Sequence, residues 1–172
     1  MPSMKSLALD LSKRYRAYTL ATVDGLAEED FHFRPKEKAE ANSIAWILWH
    51  LAEVTDEFLW GILKQEPNFL FGHSHLNHPA EKPYPSSKEL LEYLDSSHKR
   101  YLDWLEKVGI ADYEAKVEIP DFAPSAWSNL LLVLPIHERG HAAQIRYIRR
   151  LLGKPLPDTN AQNIYKNWPG QT

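Results

Sequence analysis

Apolar positions recur at intervals of three and four along four stretches of this chain, the repeat of an amphipathic helix. The first, residues 6–26, places Leu7, Leu11, Tyr15, Tyr18 and Thr22 at helical spacing and gives way to a loop ending in Arg34-Pro35. The second, residues 42–65, opens at Asn42 or Ser43, both N-cap types, and carries Ile47, Leu51, Val54, Phe58 and Ile62 before Pro67. The third, residues 86–108, begins with the capping-box spacing of Ser86 and Glu89 and continues through Leu90, Leu94, His98, Tyr101, Leu105 and Val108. The fourth, residues 125–152, runs through Leu130, Leu134, His137, His141, Ile145, Ile148 and Leu152. It stops at Gly153, with Pro155 and Pro157 beyond.

Four amphipathic helices and no convincing sheet predict an all-α protein, a four-helix bundle forming a single domain over residues 1–172. Two connections are long. Residues 66–85 hold four prolines with His73, His75 and His78, which read as solvated loop histidines. Residues 109–124 include Val117-Glu118-Ile119-Pro120, a candidate short extended piece. Tyr165 and Trp168 in the tail offer apolar surface to pack on the body or across a dimer. Pro135 cannot donate to the carbonyl of Leu131, which predicts a kink just before His137.

Composition narrows the function classes. A formal net charge of −3 gives no electrostatic case for nucleic acid or an acidic membrane. No membrane span or signal peptide is visible, so the expectation is a cytoplasmic protein. The clustered Arg146, Arg149, Arg150 and Lys154 are explained by the dipole of the last helix. There are no cysteines, so a metal would be held by nitrogen or oxygen, and thiol chemistry would need a thiol from outside.

The candidate chemistry lies in His137-Glu138-Arg139-Gly140-His141. Two histidines four apart stack on one helix face and can converge on one metal ion. Both lie on the apolar stripe, where two buried imidazoles cost free energy unless their nitrogens are satisfied, and a metal satisfies both. A third ligand is required for a catalytic site. His50 and His98 both sit mid-helix beside apolar stripes, and periodicity alone does not choose between them. Glu53 and Gln144, each about one turn from a histidine, are candidates to fix imidazole tautomers. Trp46 and Trp49 bracket His50 closely enough to line a pocket.

The histidine string also matches the H-E-x-x-H signature of zinc peptidases, in which Glu138 would be the general base. Those enzymes normally take their third ligand from further along the chain. After His141 this chain has no histidine or glutamate, and its only acid is Asp158. The peptidase reading is therefore the weaker one.

Asp30-Phe31-His32-Phe33-Arg34-Pro35, then Ser43-Ile44-Ala45-Trp46 with His50-Leu51, and finally His137-x-x-x-His141-x-x-Gln144-Ile145 ending in Leu151-Leu152-Gly153, resemble the DinB/YfiT-like family of bacterial metalloproteins. The resemblance covers almost the whole chain. It implies an up-down-down-up four-helix bundle, often a homodimer, with a three-histidine site. Carried over, the ligands are His50, His137 and His141, which favours His50 over His98. The family commonly has His-Arg-Gly-Gln near its final ligand; here Gly140-His141-Ala142-Ala143-Gln144 displaces the glycine.

Characterised relatives include transferases and isomerases that use a low-molecular-weight thiol. The resemblance thus implies a metal-dependent S-transferase or hydrolase acting on a small-molecule substrate, with zinc or nickel as the ion. Glu53 or Glu138 could accept a proton. A non-catalytic, stress-related metal- or ligand-binding bundle is the alternative.

Overall fold

The structure is a computed structural model that describes residues 4–35, 41–79, 82–108 and 134–156. The described residues form five helices and a 3₁₀ turn, with no strand among them. They are α1 (Met4–Val23), α2 (Glu28–His32), α3 (Ile44–Leu63), the turn at His75–Asn77, α4 (Ser87–Lys107) and α5 (Leu134–Leu151). The short α2 lies where the hydrophobic pattern predicts only loop. It has too few turns to display a period, and its signal is the acidic first turn Glu28-Glu29-Asp30. The extended piece at 117–120, the start of the fourth helix, the kink before Pro135 and the tail contacts of Tyr165 and Trp168 lie outside the described residues.

Helix ends follow local chemistry. Ser43 caps α3 by accepting from the Trp46 N–H at 3.1 Å, and Lys64 closes it in the left-handed conformation at φ 53°. The capping box of α4 forms as its spacing predicts: Ser86 Oγ accepts from the Glu89 N–H at 3.3 Å, and Glu89 Oε2 accepts from the Ser86 N–H at 2.8 Å. Gly153, at φ 70°, ends α5 in a Schellman turn, donating to Arg150 O while Lys154 N–H reaches back to Arg149 O.

Contacts between helices set their directions. Arg16 meets Glu138, Tyr18 meets Arg146 and Thr22 meets Arg149, so α1 and α5 run parallel. The core around Ile47 and Leu48 takes Leu90 and Leu94 from α4, whereas Phe58 and Leu59 sit with Tyr101 and Leu105, so α3 and α4 also run parallel. Ser12 reaches Tyr101 and Arg16 reaches the Leu94 carbonyl, which makes α1 antiparallel to α4. That is the up-down-down-up arrangement. Its consequence is geometric: α3 and α4 can be parallel neighbours only if residues 64–86 travel back along the bundle. Phe69 packs on Trp60, and Phe71 then packs on Trp49, as this crossover returns.

Helix α3 is the central element, with thirteen of its twenty residues buried. The predicted stripes of α3 and α4 face the core: Ile47, Leu51, Val54 and Phe58 on one, Leu90, Leu94, His98, Tyr101 and Leu105 on the other. Helix α1 departs from expectation. Its buried face is Ala8, Ser12, Arg16, Thr19, Thr22 and Val23, and Leu7 is 40% exposed. The inward face was hidden in the sequence because Arg16 enters the core on purpose-made partners, its guanidinium bonded to Glu138 and the Leu94 carbonyl. The basic end of α5 also does more than meet a dipole. Arg149, buried, donates to the carbonyls of Thr22 (3.0 Å) and Asp24 (2.8 Å) at the end of α1, and Lys154 pairs with buried Asp30 at 2.6 Å.

Candidate metal centre

His50 projects from α3, and His137 and His141 project from successive turns of α5, which packs against it. His137 Nε2 lies 2.9 Å from His50 Nε2 and 3.0 Å from His141 Nε2, and the three candidate ligand nitrogens all fall within 4.8 Å of one another. A ring nitrogen carries either one proton or one lone pair, so His137 Nε2 cannot complete good hydrogen bonds with both neighbours. A shared cation resolves the conflict: with bonds of about 2.0–2.1 Å, two imidazole nitrogens at right angles on one ion stand about 3 Å apart. These three residues could hold a metal ion.

Their protonation suits that role. Burial, followed by the neighbouring imidazoles His141, His137 and His75, pushes His50 down to about 2. Burial and His141 push His137 down to about 4. Burial also lowers His141. All three are therefore neutral near pH 7, as ligands must be.

Outer partners orient the rings. His141 Nδ1 is 3.0 Å from Gln144 Oε1, an acceptor that holds the proton on Nδ1 and leaves the Nε2 lone pair facing the site. Trp46 stacks on His50 with centroids 4.8 Å apart and planes at 16°. His50 Nδ1 is 2.9 Å from Nε2 of His75, which arrives on the crossover and is only 3% exposed. Glu53, wholly buried one turn after His50, holds that segment. Its Oε2 accepts from the His75 backbone N–H at 2.9 Å, and its Oε1 accepts from the Ser74 hydroxyl. Oε1 also lies 3.0 Å from His75 Nδ1, at an angle that makes this an electrostatic contact more than an aligned hydrogen bond. Burial pushes Glu53 up, but hydrogen bonds from His75 and Ser74 outweigh it and keep the carboxyl below its ordinary range.

The loop histidines are therefore not all in solvent. His75 is buried against the site, and His73 and His78 are half-buried. His73 Nε2 meets His78 Nδ1 at 3.0 Å, and His78 Nε2 meets the Lys82 carbonyl at 3.0 Å, two contacts whose donor and acceptor roles are compatible without a cation. His75 had no local signal. Its burial follows from the crossover that parallel α3 and α4 require, which periodicity does not display.

The remaining candidates separate cleanly. His98 is buried and stacks near Tyr101, and it is not among the three histidines whose nitrogens converge. Trp46 lines a cavity of about 690 Å³ together with His75, His32, Arg34, Asn42 and Tyr84. Trp49, 1% exposed, lies under the crossover against Phe71, His73 and His78. Glu138 is turned into the α1 interface, where Arg16 Nε holds its Oε1 at 2.6 Å. Among the described residues Gly140 makes no close helix contact, since a Cβ there would meet nothing within 4 Å.

A bundle with this direction pattern and three convergent histidines defines a class of helical metal-site protein. The DinB superfamily profile matches residues 12–145, well over half of the chain, and the protein belongs to that superfamily. Among solved structures, the chain is similar to a conserved protein from Enterococcus faecalis, with a TM-score of 0.70 and 18% identity over 90% of this chain and 100% of that one. At that identity the likeness concerns the fold. No curated protein matches the chain.

Proposed function

We propose that this protein is a metal-dependent enzyme in which His50, His137 and His141 hold one divalent ion, zinc or nickel. The observation that carries the reading is the position of His137 Nε2, about equally close to two other imidazole nitrogens that it cannot both bond. When bound, an ion held by three neutral imidazoles keeps its full charge and open positions, and so lowers the pKa of a water or thiol to near neutrality. The chain contributes orientation through Gln144 and Trp46, and the cavity beside Trp46 has room for a small-molecule substrate. With no cysteine of its own, the protein would use an external low-molecular-weight thiol as an S-transferase, or water as a hydrolase. Glu138 is engaged by Arg16, which argues against the zinc-peptidase role.

A homodimer in the cytoplasm completes the reading. In its support, Ile136, Tyr147 and Leu151 are 60%, 63% and 47% exposed along one outer stripe of α5, with the small residues Gly140 and Ala143 between them.

Elemental analysis of untagged protein tests the site. One zinc or nickel per chain is expected, lost in His137→Ala. Undiminished metal in that variant removes the site. Turnover of thiol–electrophile pairs by the metal-loaded protein, absent in His50→Ala, distinguishes an enzyme from a non-catalytic binder.

A further inference from the structure

We propose that His75, clamped by Glu53, is a positioning residue that sets the tautomer and aim of His50; the inference rests on reading His50 as a metal ligand. The argument is one of proton bookkeeping along a buried chain. Glu53 is an anion with no exposure to water, and one of its oxygens lies 3.0 Å from His75 Nδ1. A carboxylate can only accept, so it favours the His75 tautomer with the proton on Nδ1. His75 Nε2 is then a lone pair, and 2.9 Å away it meets His50 Nδ1, which must donate. The proton of His50 is thereby placed on Nδ1, and its Nε2 lone pair is left facing His137 Nε2 at 2.9 Å.

The clamp is separate from the ring contact. Ser74 Oγ–H and the His75 backbone N–H both bond to Glu53, so the loop is fixed to α3 even where the imidazole is altered. Trp46 closes the arrangement from the side, stacked on His50 and edge-on to His75 at 5.1 Å. His141 receives the same service from Gln144, three residues away on its own helix. His50 takes its orienting group from the crossover, twenty-five residues further along the chain. Formation of the site is thus coupled to docking of residues 74–75.

The test uses the full chain and zinc ion alone, titrated against a chromogenic chelator. His75→Phe fills the space but offers no acceptor, and a zinc affinity about 10–100-fold weaker at unchanged stoichiometry is expected. His75→Gln restores an acceptor near the position of Nε2 and should recover most of the loss. Glu53→Gln acts through His75, so adding it to His75→Phe should weaken binding no further. A second readout needs no metal: nitrogen-15 shifts of the His50 imidazole should report a proton on Nδ1 in the wild type and lose that preference in His75→Phe. Leu76→Ala, an exposed change in the same turn, should leave both readouts unmoved. Wild-type zinc affinity in His75→Phe, or a His50 that keeps its Nδ1 proton there, overturns the inference. Should the wild type bind neither zinc nor nickel, the metal-site reading fails and the His50 tautomer alone decides this one. Should His75→Phe not fold, His75→Gln and Glu53→Gln carry the comparison: Glu53→Gln must weaken zinc binding or shift the tautomer, and wild-type behaviour in it overturns the inference.

Discussion

Glu138 stands where a zinc peptidase would keep its general base, yet its surroundings make it a structural anion. Its carboxylate and the Arg16 guanidinium are both nearly excluded from water and bonded at 2.6 Å. Removing one member leaves the other buried and uncompensated, a loss of about 3–5 kcal/mol. Glu138→Ala should therefore lower the urea midpoint sharply while retaining bound metal, whereas His50→Ala should lose the metal. Metal loss in Glu138→Ala under conditions where it remains folded would return Glu138 to the site. Near that pair, His98 has a ring nitrogen, Nε2, buried without a partner. Burial, and then Arg16, push His98 down to about 3. Its unfolded value is about 6.5. Between those limits the unfolded chain binds a proton that the folded one refuses, so stability falls as pH drops through that window. His98→Leu should be neutral or stabilising at pH 7 and should lose less stability between pH 7 and 5 than the wild type, as read from urea midpoints. His50 and His137, also depressed, leave part of the acid sensitivity in place.

At the scale of elements, the signals that could be read were local ones. Ser86 with Glu89 and the Gly153 stop required no knowledge of neighbours, since each satisfies backbone groups within its own turn. The face of α1 was not legible, because Arg16 is inward-facing only by virtue of Glu138 on another helix. Helix α2 is likewise held from outside its own sequence. Asp30 accepts from the Ala27 N–H at 2.8 Å, and Lys154 beyond the end of α5 pairs with it at 2.6 Å, which holds the carboxyl below its ordinary range. Asp30→Ala removes a helix-start acceptor and one partner of an ion pair whose lysine is half-exposed, for an expected loss of about 1–2 kcal/mol. Thermal unfolding of this variant beside Lys154→Met should show that the two changes are not additive; full additivity would mean the pair contributes nothing jointly.

For the whole molecule, direction matters more than helix count. Parallel α3 and α4 force the crossover to retrace α3, and this return brings His75 to His50. The homodimer proposed above would use the outer stripe of α5, and Tyr147→Glu should then shift a light-scattering mass from twice the chain mass to one, with metal content unchanged. A wild type already at the mass of one chain would dismiss the stripe as an interface.

The sequence by itself determined the all-helical class, the inward stripes of α3 and α4, the capping chemistry and the pairing of His137 with His141, because each rests on spacing within a single helix. It also carried the family resemblance that favoured His50. Only the tertiary structure decided that Arg16 faces inward, that Glu138 is spent on it, that Trp49 lies beneath the crossover, and that His75 stands behind His50. Each of those depends on a partner far away along the chain, and an intrahelical period holds no information about which distant residue will arrive.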